Sequence, residues 1–206
     1  MPYGYLGQNQ PNQTVSNSGV FSITDVAELQ SQGKLGGSLE LIEEQTYSSD
    51  VNYVDFTNLY TSKYDVHILY FEKCYAYSLS NIRLRFFESG VVQTGSVYRY
   101  ALWATNYIGG NGELKSNGTT ELFIANYANN QGRDGNGYII FYGLGDSTKY
   151  SSFNSFSTGG HLEDYVFTGG GTMLSASDVD GIRVLNGTGT SAFQSYKMKL
   201  FGVKKL

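Results

Sequence analysis

The stretch from Asp180 to Lys204, DGIRVLNGTGTSAFQSYKMKLFGVK, reads as a strand, a glycine-rich turn and a second strand. Ile182 and Val184 alternate with Arg183, and Asn186-Gly187 and Gly189 break the run. Tyr196, Met198 and Leu200 then alternate with Lys197 and Lys199. Alternation of period two places the apolar side chains on one face of a strand, and Asn-Gly suits the positive φ of a tight turn. A closing strand this regular is expected to pair back into a sheet made earlier in the chain, completing a sandwich.

Working back from that pair, strand signals follow one another from Gly36 onward. Leu39 and Leu41 alternate with Glu40; Val51, Tyr53 and Asp55 run opposite Asn52, Val54 and Phe56. Tyr64 to Phe71 (YDVHILYF) and Tyr138 to Tyr142 (YIIFY) are apolar on both faces, the mark of a central strand. Asn81 to Phe87, Ser96 to Trp103, Thr119 to Ala125, Lys149 to Phe156, Tyr165 to Thr168 and Thr172 to Leu174 supply the rest. Gly109 to Gly112 is expected to begin a loop, and NYANNQGRDGNG (126–137) to form the longest one. The count is roughly ten or eleven strands at a spacing of about 8–15 residues, which fits a sandwich or jelly roll. Ile68, Leu84, Leu102, Ile140, Ile182 and Leu200 are the expected core positions. One helix is expected, from Ser22 to Gln32. There Ser22 and Asp25 fit a capping box and Gly33 suits the position just past the helix end. The fold class expected is therefore all-β: a jelly-roll-like antiparallel β-sandwich over residues 22–206, with an extended N-terminal arm (1–21) and one short helix.

Composition agrees with strands and turns. Of 206 residues, 26 are Gly, 18 Tyr and 12 Phe, while 40% are hydrophobic and 16% charged. The formal net charge is −4 and the pI about 5.1, which argues against a bare nucleic-acid partner, since that needs a basic surface. No apolar run approaches the ~20 residues of a membrane helix. No basic segment followed by an apolar one opens the chain, so neither a membrane partner nor a secretory signal is expected. The single cysteine, Cys74, excludes an internal disulfide framework and reads as a small buried hydrophobe.

Candidate sites are weak by spacing. Asp178-Val179-Asp180-Gly181 resembles part of a calcium loop, but the continuing EF-hand pattern meets Ala176 and Gly187, so turn chemistry is the better reading. Arg133-Asp134-Gly135-Asn136-Gly137 reads the same way. His161-Leu162-Glu163-Asp164 offers ligand types, yet the only other histidine, His67, lies within a strand pattern. The pairs Glu43-Glu44 and Glu163-Asp164 would point to opposite faces of a strand, unlike a glycosidase pair. No catalytic, cofactor-binding or metal-binding residue is assigned, no cofactor is expected, and the chain is read as a non-enzyme. Tyrosines in loops or on outward faces, Tyr107, Tyr127, Tyr142 and Tyr150, are the candidate contacts for glycan or protein. Residues 1–20 (MPYGYLGQNQPNQTVSNSGV) carry no charged side chain and cannot form a core alone. Tyr3, Tyr5 and Leu6 are their candidate docking anchors.

Four further segments stand out: Ser18-Gly-Val-Phe-Ser22 after the polar N-terminus, Tyr64-Asp-Val-His-Ile-Leu69, and IRLRFFESG (82–90) followed by Tyr98-Arg99-Tyr100. The fourth is Asp180-Gly-Ile-Arg183 together with the closing Lys199-Leu-Phe-Gly-Val-Lys204. In these the chain resembles structural proteins of marine tailed phages, cyanophages in particular. The resemblance implies a non-enzymatic β-sandwich on the exterior of the virion, in a head decoration or a tail fibre, and carries over no catalytic residue. With no coiled coil or repeat to form a shaft, a capsid decoration protein docked by its arm on other virion proteins is the expectation. It would act as a homo-oligomer, a trimer being one option. A tail-fibre or receptor-binding module contacting host surface glycan is the alternative.

Overall fold

A computed structural model of the chain describes residues 39–76, 80–127, 134–160, 164–187 and 189–204. The chain divides between Leu39 and Glu40, and the fold below is that of the unit beginning at Glu40. The expected arm with Tyr3, Tyr5 and Leu6, the helix at Ser22–Gln32 and the boundary between residues 21 and 22 lie outside the described residues.

Among the described residues the elements are β-strands. They are β1 (Leu39–Thr46), β2 (Tyr53–Phe56), β3 (Tyr64–Ala76), β4 (Ser80–Glu88), β5 (Val91–Val92), β6 (Tyr98–Asn106) and β7 (Asn111–Thr119). These are followed by β8 (Leu122–Tyr127), β9 (Gly135–Tyr142), β10 (Tyr150–Gly160), β11 (Asp164–Ala176), β12 (Val179–Asn186) and β13 (Phe193–Lys204). Eight strands form one sheet in the order β1-β13-β3-β9-β10-β11-β6-β7. A second sheet runs β2-β12-β4, with β5 and β8 both pairing along the far side of β4. Every pairing of described register is antiparallel. The closing pair divides as a sandwich requires: β12 sits between β2 and β4 in the small sheet, whereas β13 lies beside β3 in the large one.

The core lies between the inner faces of the two sheets. In the large sheet Leu200, Leu69 and Ile139 stand in register across β13, β3 and β9, and Leu102 continues the layer on β6. In the small sheet Val54, Val184, Leu84 and Leu122 form the facing row. Aromatic rings link the two layers: Phe86 of β4 meets Phe141 of β9 and Tyr98 of β6 at centroid distances of 6.0 Å, and Phe123 of β8 meets Phe167 of β11 at 6.0 Å. Such pairs add to the area burial that supplies most of the stabilisation. Tyr98 also ties the β4–β5 connection down. Its hydroxyl accepts the Phe86 N–H (3.0 Å) and donates to the Gln93 carbonyl (3.1 Å). Burial pushes that phenol up to about 12.

Four expectations need correction. Ile68 and Ile140 are only half-buried, because β3 and β9 turn His67, Leu69, Phe71, Ile139 and Phe141 inward and leave the alternate residues on the outer face. Asn111 to Thr119 is a strand, not a loop; as the edge of the large sheet it packs on one side only and tolerates a polar sequence. The loop expected at 126–137 is shorter, since β8 runs to Tyr127 and β9 starts at Gly135. Tyr165–Thr168 and Thr172–Leu174 belong to one strand, β11, which passes through Gly169-Gly170-Gly171 without a break.

Candidate functional site

The outer faces of the two sheets differ in chemistry. On the small sheet the polar groups are tied to one another. Arg183 grips Asp55 through two bonds (2.7 and 2.6 Å) with its guanidinium 3.7 Å from the Tyr53 ring centre. Arg83 and Arg85 close on the buried Glu121 at 2.5 and 2.7 Å. Such charge-assisted bonds hold each guanidinium against its carboxylate.

The large sheet presents the opposite: a row of aromatic rings with water on one side. The register places Tyr70 of β3 opposite Tyr138 of β9, Tyr138 opposite Phe156 of β10, Phe156 opposite Thr168 of β11, and Thr168 opposite Trp103 of β6. Tyr70 is 45% exposed, Tyr138 37%, Phe156 41% and Trp103 45%, so the row is a surface and not a second core. Tyr138 and Phe156 stack at 6.0 Å with planes 26° apart; Tyr70 lies 5.9 Å from Tyr138, and Phe201 meets Tyr70 edge-on at 5.7 Å. These cross-strand contacts hold Tyr70, Tyr138 and Phe156 in place.

Two parallel rows flank this one. On one side stand Asn136, Thr158, Val166, Thr105 and Asn111, in register across β9, β10, β11, β6 and β7. On the other are Ile68, Ile140, Asn154, Gly170 and Ala101. Across β9, β10 and β11, the outward positions Tyr138 to Tyr142, Tyr150 to Thr158 and Val166 to Thr172 carry no charged side chain. Charge returns at the margins: Lys199 opposite Tyr70, held 3.5 Å from Glu44, and Glu113 opposite Trp103. Hollows open toward both ends of the row, and both carry charge. One of about 480 Å³ lies between Tyr70, Phe201, Asn136, Glu72, Lys197 and Lys199; one of about 460 Å³ lies between Trp103, Ala101, Thr168, Glu113 and Lys115.

Of the tyrosines singled out from the sequence, the structure brings two together. Tyr142 and Tyr150 flank the β9–β10 turn and line a cleft of about 680 Å³ with Tyr64, Asp65, Asp146 and Lys149. Asp146 is held down at about 2 by the Thr148 hydroxyl and Lys149, 3.0 Å away. Tyr107 is exposed in the β6–β7 turn at the opposite end of the sheet, and Tyr127 ends β8 in the small sheet. Among the described residues no three His, Cys, Asp or Glu side chains converge as a metal site would need. Asp180 accepts the Gly90 N–H at 2.7 Å, which ties a turn to β12. Glu43 accepts from Gln45, and Glu44 faces Lys197 and Lys199. Cys74 is fully buried, and burial pushes its thiol far up. His67 is buried too, donating from Nε2 to the Leu59 carbonyl at 2.7 Å; burial lowers its basicity. His161 and Glu163 lie outside the described residues.

No protein-family model and no curated protein sequence matches the chain. Among solved structures it is similar to the CBM2 module of the evolved Dit of Lactobacillus casei BL23 phage J-1. The identity is 9%, the match covers 75% of this chain and 69% of that one, and the TM-score is 0.25. A superposition that loose carries no argument about fold or function.

Alternation alone does not assemble the row: Tyr70 and Tyr138 lie on strands apolar on both sides, where the period does not say which face is wet. Phe156 and Trp103 carry a usable signal, since Ser152 and Asn154 share the face of Phe156 and Arg99 that of Trp103.

Proposed function

We propose that this chain is a non-enzymatic structural protein on the exterior of a tailed-phage particle, and that its eight-stranded sheet meets carbohydrate on the host surface. The observation that carries the carbohydrate part is the wet, uncharged aromatic row with hydroxyl and amide groups along one side of it. Sugar rings offer an apolar C–H face and a rim of hydroxyls, and they need that combination of stacking surface and neutral hydrogen-bonding groups. The phage assignment is supported by the sequence resemblance. A jelly-roll-like winding fits the repeated passage of the chain between sheets, as from β3 to β4, β5 to β6 and β11 to β12. The test is binding of the purified chain to host cells before and after mild periodate oxidation of surface sugars. Binding lost on oxidation supports the reading; binding that survives it, or no binding at all, counts against it.

The second reading is a capsid decoration protein docked on other virion proteins through its arm, and assembled as a homo-oligomer. It is favoured by the charge-free stretch 1–20, which loses little hydration on burial and keeps Tyr3, Tyr5 and Leu6 as anchors. Deleting residues 1–20 is expected to abolish incorporation into particles while leaving glycan binding intact. Parental occupancy of the truncated chain on particles rules the arm out as the attachment.

A further inference from the structure

We infer that the outer face of the eight-stranded sheet takes an extended, uncharged polysaccharide laid across the strands along Tyr70, Tyr138, Phe156, Thr168 and Trp103. This rests on the carbohydrate reading above and adds the path, length and charge class of the ligand.

The direction follows from the register. Aromatic side chains recur from strand to strand within one row, whereas the rows on either side hold Ile140, Asn154, Gly170 and Ala101, or Thr158, Val166 and Thr105. A ligand lying along β9 meets Tyr138 and Tyr142, and one lying along β10 meets Phe156 and Tyr150; a ligand lying across the strands meets four rings. From β3 to β6 the row crosses four strand spacings of about 4.8 Å, so the occupant must reach about 19 Å. That length requires an oligomer, since one sugar ring covers a single aromatic side chain.

The charge class follows from what the middle of the face lacks. Between Lys199 at one end and Glu113 at the other, the row and its neighbours on β9, β10 and β11 are neutral. An anionic chain would give up hydration over the central rings and meet cations only at the ends, where Lys199 beside Tyr70 and Lys115 beside Ala101 are already paired with Glu44 and Glu113. The groove beside the row is built into the backbone. A Cβ on Gly170 would lie 2.4 Å from the Phe153 carbonyl oxygen and 2.9 Å from Oδ1 of Asn154, so no side chain fits. Next to it Ala101 keeps the floor low, and Thr158, Thr105 and Asn111 line the other flank with hydroxyl and amide groups.

Trp103 makes this testable, because it is the chain's single tryptophan and stands at the far end of the row. The full chain is titrated with size-graded linear oligomers of neutral glucan, mannan and galactan, and with polyuronate oligomers of matching length. Affinity is read by calorimetry, and Trp103 by its emission. For at least one neutral series, affinity is expected to climb with length and level off once the row is spanned. The Trp103 emission should respond only to the longer members, and polyuronate should bind at least about tenfold more weakly. Tyr138→Ala is expected to weaken the long oligomer about tenfold. Ala101→Arg, at an exposed position that leaves the core untouched, should block the groove and abolish the Trp103 response. Binding without length dependence, without a Trp103 response or with equal affinity for polyuronate overturns the inference while leaving the carbohydrate reading standing. If neither the oligomers nor intact cells bind, both fall. Self-association that Tyr138→Ala removes would assign the face to a second copy of the chain and overturn it as well.

Discussion

Replacing Leu69 by alanine and, separately, its neighbour Ile68 tests the frame on which every outward residue depends. Leu69 is fully buried between Leu200 and Ile139, whereas Ile68 lies on the outer face between Phe201 and Ile140. Each substitution removes three carbons. At Leu69 they are worth about 0.8 kcal/mol apiece in transfer, and the cavity left in a close-packed core adds to that, giving a loss of about 3–4 kcal/mol. At Ile68 the side chain is already half in water and the site collapses toward solvent, so the loss is about 1 kcal/mol. For a domain of this size the two losses correspond to a fall in Tm of roughly 10 °C against a few degrees. Urea unfolding followed by circular dichroism gives both free energies, and the same contrast is expected on β9 between Ile139→Ala and Ile140→Ala. Equal losses, or the larger one at Ile68, would mean that β3 is slipped by one residue. Such a slip moves every side chain of the strand to the other face and removes Tyr70 from the aromatic row.

Two further outcomes follow from buried polar groups. His67 is neutral in its sealed site, donating to Leu59, with no partner for Nδ1 among the described residues. Its basicity is lowered below the ordinary 6.5, so the unfolded chain takes up the proton first. Stability should therefore be unaffected by this group above that pH and decline as the pH falls below it, by up to about 1.4 kcal/mol per pH unit, in urea titrations that His67→Gln flattens. Tyr98→Phe keeps the ring but strips the hydroxyl from the Phe86 N–H and the Gln93 carbonyl, which should cost about 1–3 kcal/mol in the same assay.

Where one face of a strand is polar, the sequence already says which way it points. Arg83 and Arg85 left Ile82, Leu84 and Phe86 no face but the core, and Lys197 and Lys199 did the same for Met198 and Leu200. Where both faces are apolar, alternation gives the period but not the phase. That is why Ile68 and Ile140 were expected inside and are not. Glycines misled in another way. Gly169-Gly170-Gly171 reads as a break, yet in a central strand it permits close approach: a Cβ on Gly171 would stand 2.6 Å from the Arg99 carbonyl oxygen. The edge strand β7 lacked any signal, because a strand packed on one side needs few apolar residues.

The aromatic row was illegible for a deeper reason. Its four rings come from β3, β9, β10 and β6, positions 70, 138, 156 and 103; the β9–β10 pair joins Tyr138 to Phe156, but only the non-consecutive pairings β3–β9 and β11–β6 bring Tyr70 and Trp103 into the same row. Each ring alone is an ordinary strand residue, since aromatics favour pleated, half-buried surfaces wherever they occur. The collective property is that four of them share one row, on the wet side, with no charge among them. Exposed apolar patches carry a cost in solubility, and the small sheet avoids it by pairing its charges over the same kind of surface. The large sheet carries no charged side chain at the outward positions Tyr138 to Tyr142, Tyr150 to Thr158 and Val166 to Thr172. The proposed polysaccharide accounts for a face that stays neutral across three central strands and aromatic on two of them, and under that proposal the register sets the ligand's long axis across the strands.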